Sequence, residues 1–169
     1  MKNSRLSSIL FLCIFAIALA GSSCNIQLPG AQWQTPEGWN AEEAEAFNRI
    51  NDERAARGLQ ALIPDTDLHA VARAHSQDMV DRDFFDHTNP DGLSPFQRMA
   101  AAGITYSKAA ENIAWNQGHS NPAQTAVTAW MNSTGHRNNI LNDTYTHTGM
   151  GVAATNDGKY YFTQVFTKP

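Results

Sequence analysis

From Asn40 onward apolar residues return three and four positions apart, a spacing that predicts amphipathic helices. Ala44, Phe47 and Ile50, with Arg54 next in step, form one stripe. Asn40 and Glu43 are placed for a capping box at its start, and Gly58 stops it. A second helix opens near Asp65 to Asp67, with Leu68, Val71, Ala72, His75 and Met79 on one face. "SPFQRMAAAG" (94–103) begins with a Ser cap and a Pro at the first helical position and ends at Gly103. "NPAQTAVTAWM" (121–131) repeats the device, with Ala123, Ala126, Val127, Trp130 and Met131 as its apolar stripe.

The C-terminus changes period. "TGMGVAAT" (148–155) and "KYYFTQVFT" (159–167) flank "NDG" (156–158), which predicts a β-hairpin. In the last strand Tyr160, Phe162 and Phe166 fall on one face, and Tyr161 and Val165 on the other. Both faces are apolar, so a sheet covered on both sides is expected. Helices followed by a terminal hairpin give an α+β fold: an α-β-α sandwich with a small antiparallel sheet between helices.

The first residues follow neither period. Lys2 and Arg5 precede "SSILFLCIFAIALA" (7–20), an apolar run of signal-peptide length and short for a membrane span. Two cleavage points fit: Ala18-Leu19-Ala20 before Gly21, and the lipoprotein-like "AGSSC" ending at Cys24. Cys13 and Cys24 are the only cysteines, and Cys13 leaves with the signal. A lone exported thiol needs an explanation, and acylation of Cys24 supplies one. The expected organisation is a lipoprotein-type signal over 1–23, a tether over 24–39 ("NIQLPGAQWQTPEGW" without periodicity) and one domain over 40–169. No disulfide is left to hold that domain, so core packing must.

Removing Lys2 and Arg5 leaves 10 basic against 16 acidic residues. That acidic balance argues against nucleic acid as a partner and against an electrostatic grip on anionic lipid.

Three stretches combine His, Glu, Asp, Asn and Arg with turn formers: "FFDHTNPDG" (84–92), "AENIAW" (110–115) and "STGHRNNIL" (133–141). Such composition is common for sites carried on loops. The order F-F-D-H, E-N-I-A, A-W-M-N-S-x-G-H-R-x-N-I-L, G-x-G-V and a closing aromatic strand resembles the CAP superfamily, or SCP domain, over roughly residues 43–167. This superfamily includes cysteine-rich secretory proteins, antigen 5 and plant pathogenesis-related proteins, and the match is closest to its bacterial extracellular branch. The resemblance implies an α-β-α sandwich with a cleft lined by two His and two acidic residues. By this resemblance the first His is His87, the first acidic residue Glu111 and the second His His136. The second acidic position falls near Ser133, where this chain has no carboxylate.

The chemistry of those residue types gives alternatives. Two neutral imidazoles, His87 and His136, can hold a divalent transition metal, zinc by preference, but only weakly as a pair. Glu111 is either a third ligand or a general base that holds a water. Asn112, Ser133 and Arg137 are expected to support the cleft, Arg137 more as a surface or ion-pair residue than as a reacting group. His75 reads as a satisfied core histidine, His69 and His119 as surface residues, and Trp115 and Trp130 as core. Other templates fail: there is no G-x-S-x-G elbow, no H-E-x-x-H helix and no glycine-rich phosphate loop, and Ser133 has no oxyanion-hole motif beside it. The expectation is an exported envelope module that binds a lipid, peptide or polysaccharide, anchored to a membrane through lipid on Cys24. The alternative is a zinc-dependent hydrolase of peptide or envelope polymer.

Overall fold

The computed structural model describes residues 33–169; the signal segment, Cys24 and the first part of the tether lie outside the described residues. Helix α1 (Ala41–Ala55) starts at the expected capping box: Glu43 N–H donates to Asn40 Oδ1 at 2.9 Å, and Asn40 N–H donates to Glu43 Oε2 at 2.8 Å. After the short strand β1 (Ile63–Pro64), α2 (Thr66–Asp81) is capped by the Asp65 side chain. α3 (Pro95–Ala101) and α4 (Pro122–Asn132) carry the Ser94-Pro95 and Asn121-Pro122 starts read from the sequence. Between them runs β2 (Lys108–Gln117), and α5 (Thr134–Ile140) follows α4 directly. The hairpin is β3 (His147–Ala154) and β4 (Lys159–Lys168), turned through Gly158 at φ 81°.

The sheet order is β1-β3-β4-β2. β4 pairs antiparallel with both β3 and β2, while β1 lies parallel to β3, so the sheet is mixed rather than purely antiparallel. Helices cover both faces, as the two apolar faces of β4 require. Phe162 and Phe166 join Ala46 and Ile50 of α1, Val127 and Trp130 of α4, and Ile140 of α5 in one core. On the opposite face Val165 packs with Leu68, Val71 and Ala72 of α2 and Met99 of α3, and Tyr161 with Met79 and Ile113.

Two glycines set how closely α2 lies on the sheet. A Cβ on Gly149 would sit 2.1 Å from the backbone carbon of Leu68, and one on Gly151 would sit 2.2 Å from that of Ala72. Ser76 then donates within this contact, to Gly151 O or Thr163 Oγ1, each at 2.9 Å.

Three readings change. "AENIAW" is strand, not loop, because β4 supplies a partner for every residue from Lys108 to Gln117. Trp115 is half exposed rather than core, with the Lys159 ammonium 4.6 Å from its ring centre. His69 is not on the open surface: its ring stacks on Trp39 at 4.6 Å and its Nδ1 meets Met150 O at 2.6 Å.

Candidate functional site

β2 is an edge strand, and the site is built along it from both helical layers. From one layer comes the 84–93 loop. α2 ends with Asp83 in the left-handed region (φ 49°) and with Phe84 N–H donating back to Met79 O, a Schellman-type close that turns the chain sharply. The loop is then knit by its own side chains. Asp86 Oδ1 accepts from Thr88 N–H at 2.7 Å, and Asn89 Oδ1 accepts from Leu93 N–H at 2.9 Å. His75, buried in α2 as expected, binds the loop through its Nε2, 3.0 Å from Asp86 O.

That loop presents His87 to Glu111 of β2. His87 Nδ1 lies 2.8 Å from Glu111 Oε1. The Glu111 side chain is only 2 % exposed, and its other oxygen accepts from Arg98 Nη2 at 2.6 Å. A carboxylate so buried needs that cation. Arg98, on α3, also donates through Nη1 to His87 O at 2.7 Å and Leu93 O at 2.9 Å. One guanidinium thus fixes the acid, the histidine's backbone and the end of the loop.

The other layer brings α5. Asn112, fully buried and next to Glu111 on β2, donates to His136 O at 3.2 Å and accepts from Asn139 Nδ2 at 2.9 Å. These bonds seat His136 against the strand that carries Glu111. His136 Nδ1 is buried with no hydrogen-bond partner. Burial holds the His136 pKa below the ordinary histidine value, and the charge of His87 pushes it down further.

The remaining expected residues lie beside this group. Ser133 is the N-cap of α5 without a side-chain capping bond. Arg137 donates to Met131 O at 2.9 Å, tying α5 to α4 rather than reaching the histidines. His147, at the start of β3, pairs with Thr146 Oγ1. Arg98 was not singled out in the sequence. Its one signal is that it is the only charged residue in "PFQRMAA".

The donor set can be tested against a metal. Among the described residues no group of three or more His, Cys, Asp or Glu side chains is arranged to hold an ion. Both Glu111 oxygens are engaged, so Glu111 is placed to orient His87 rather than to bind a metal itself. A carboxylate on one ring nitrogen, leaving the other ring nitrogen for a ligand, is how metal-binding histidines are commonly held. Of this group only His87 and His136 carry imidazoles, and a metal held there would need further ligands from outside it.

Comparison with known proteins agrees with this architecture. Over 116 residues, 69% of the chain, it is 47% identical to an uncharacterized protein, YkwD, of Bacillus subtilis (strain 168), covering 44% of that protein. It is 39% identical over 126 residues, 75% of the chain, to an uncharacterized membrane protein, YlbC, of the same organism, covering 34% of it. The chain thus spans less than half the length of these curated relatives. Among solved structures, an extracellular protein containing an SCP domain from Bacillus anthracis str. Ames matches with a TM-score of 0.65 and 31% identity, over 76% of this chain and 40% of that one. The model of the CAP, cysteine-rich secretory protein, family matches residues 47–166, which include the His87 loop, the β2 edge, α5 and the closing hairpin. The chain belongs to the CAP family.

Proposed function

We propose that this chain is an exported cell-envelope module, held to a membrane by lipid on Cys24, whose His87–Glu111–His136 group binds a ligand in the envelope, with a divalent metal such as zinc as the first candidate. The observation that carries the binding reading is the fixed geometry of His87: a buried carboxylate on Nδ1, itself neutralised by Arg98. Holding a half-exposed imidazole in one orientation through a buried acid–guanidinium pair costs desolvation. That cost has an evident use if the second ring nitrogen meets a ligand. His136 supports the same reading, with a buried nitrogen that lacks a partner. A divalent ion held by the two rings would offer a positive centre to an anionic or carbonyl-bearing ligand. Export is supported by the apolar leader of the sequence and by the extracellular and membrane descriptions of similar proteins.

Engagement of both Glu111 oxygens favours binding over the hydrolase, because a general base needs a free oxygen for water. The test is calorimetric titration of zinc into the metal-free protein beside the H87A/H136A double variant. Saturable binding lost in the double variant is expected. No binding by the unaltered protein removes the metal from the reading. Turnover of a peptide or peptidoglycan panel that disappears in Glu111→Gln would replace binding by hydrolysis.

A further inference from the structure

The face of β2 that carries Glu111 also carries Trp115, four residues and so about 13 Å farther along the strand. Trp115 is half exposed, and Phe85, in the loop that presents His87, nearly so. Tyr161 joins the two: it is the cross-strand partner of Trp115, and its ring centre lies 6.4 Å from that of Phe85. The Lys159 ammonium stands 4.6 Å from the ring centres of both Trp115 and Tyr161. Tyr161 is buried with Met79 and Ile113, so the exposed rings rest on a fixed base. Lys159 packs over the Trp115 indole while half of that residue stays open. Exposed aromatic rings grouped in this way mark a binding surface rather than scattered apolar residues.

Charge decides what fits there. A cationic ligand would seek the ring faces, but Lys159 already stands over two of them. A polyanion would meet a chain with more acidic than basic residues. A lipid tail would have to cover the Lys159 ammonium, at the cost of its hydration. A neutral sugar ring meets none of these objections. Its C–H face packs on the electron-rich face of an indole, and its hydroxyl rim stays in water. An acetamido substituent adds a carbonyl for Lys159 to donate to and a methyl for Phe85. Lys159 is available for this, because among the described residues it forms no ion pair. Asp157, two residues before it, has both oxygens engaged, one by Thr155 Oγ1 and the other by Gln117 Nε2 at 3.2 Å. The flexible lysine stem lets the ammonium follow a carbonyl held against the indole.

We propose that Phe85, Trp115 and Lys159 form a glycan subsite for a neutral N-acetylhexosamine unit of an envelope polysaccharide, packed on the Trp115 indole with its acetamido carbonyl on Lys159. The subsite rests on the envelope-binding reading for where the glycan is met, but it uses neither imidazole and needs no metal.

The experiment follows the Trp115 indole N–H and the Lys159 side-chain signals by NMR, the first assigned by its loss in Trp115→Phe. Chitotetraose, four β-linked N-acetylglucosamine units, is added, and separately cellotetraose, its counterpart without acetamides. A chelator is present throughout, so that failure of the zinc titration and failure of this one are told apart. Chitotetraose is expected to move both signals saturably, and cellotetraose to bind roughly fivefold more weakly, the scale of one hydrogen bond. Trp115→Ala should weaken chitotetraose roughly tenfold, the scale of one aromatic contact, and Trp115→Phe should restore most of the loss. Phe85→Ala, at an exposed loop position, should weaken it in the same direction and repeats the test should Trp115→Ala misfold. Lys159→Met should bind the two sugars alike. The absence of a saturable shift, equal binding of cellotetraose by the unaltered protein, or unchanged binding in the Trp115 and Phe85 variants would overturn the proposal. A tighter response of the same signals to choline, to a hyaluronan tetrasaccharide, to phosphatidylcholine vesicles or to protein concentration alone would also overturn it, giving the surface to a cation, a polyanion, a membrane or a second copy.

Discussion

His136 carries its proton balance in its surroundings. Burial is the larger cause of its lowered pKa and the charge of His87 the smaller. In the metal-free protein its NMR titration midpoint should lie below the 6.5 of a free histidine, and His87→Ala should raise it part of the way back. A full return to 6.5 would mean that burial matters little; no change would mean that the charge of His87 does not act on His136. His75 is lowered for the same leading reason, burial. Both groups bind a proton more readily in the unfolded chain, so their contribution is fully present above about pH 6.5 and is lost as pH falls through the folded-state values. Denaturant midpoints should therefore drop on acidification below about pH 6.5, less so in His136→Ala. Residue types alone brought His87, Glu111 and His136 to notice, since few side chains can do chemistry. They did not reveal Arg98, because an arginine on a short helix has the same pattern whether it faces solvent or closes on a buried acid. Arg54 is the same lesson in the core: it is 1 % exposed and donates to the carbonyls of Gln60, Ile140, Asn142 and Tyr145.

Elements differed in how plainly they could be read. α1 and α4 announce themselves by caps and by a single apolar stripe, and α3 by its cap and Pro start, all local properties of the chain. β2 does not. Glu111, Ile113 and Trp115 share one face and Ala110, Asn112 and Ala114 the other, so neither face is cleanly apolar, and only pairing with β4 makes the segment a strand. β1 is two residues long and exists through its bonds to β3. The glycines of β3 look like weakness in a strand until α2 is placed on them. Neither Gly149 nor Gly151 has a positive φ, so their need is for space alone. Replacing either with Ala should cost about 3 kcal/mol in urea denaturation, the upper end of overpacking, because the obstruction is helix backbone and cannot rotate away. Gly158 is the control: it has φ 81° and nothing within 4 Å of its missing Cβ, so Gly158→Ala should cost only about 1 kcal/mol of backbone strain. Equal losses at all three positions would mean that α2 does not sit this close to β3.

At the scale of the molecule the open matter is where the domain begins. Composition places the boundary at residue 40, yet the segment before it is fastened to the fold. Trp39 stacks on His69 at 4.6 Å and meets Phe47 edge-on at 5.4 Å. Gly38 O accepts from Arg73 Nη2 at 3.0 Å, and Trp33 Nε1 donates to Asp52 Oδ1 at 2.9 Å. Beneath lies Glu43, wholly buried, which joins three elements by capping α1, accepting from Val152 N–H of β3 and pairing with Arg73 of α2. Residues 33–39 are thus the lid of a buried ionic junction, and a polar, Pro- and Gly-containing composition hides this because the contacts come from two tryptophans and one backbone carbonyl. A chain beginning at Asn40 should lose about 2 kcal/mol, the worth of two aromatic contacts and a partly exposed hydrogen bond. For a domain of this size that is a fall in Tm of roughly 5–10 °C by calorimetry. Trp39→Ala in the whole chain should reproduce most of the fall, and Trp33→Ala little of it, since the Trp33 bond is exposed. An unchanged Tm in the shortened chain would return residues 33–39 to the tether. The expected fall instead moves the boundary to Trp33, and a lipid on Cys24 would then be separated from the domain by residues 25–32 alone, a reach of at most about 28 Å when fully extended.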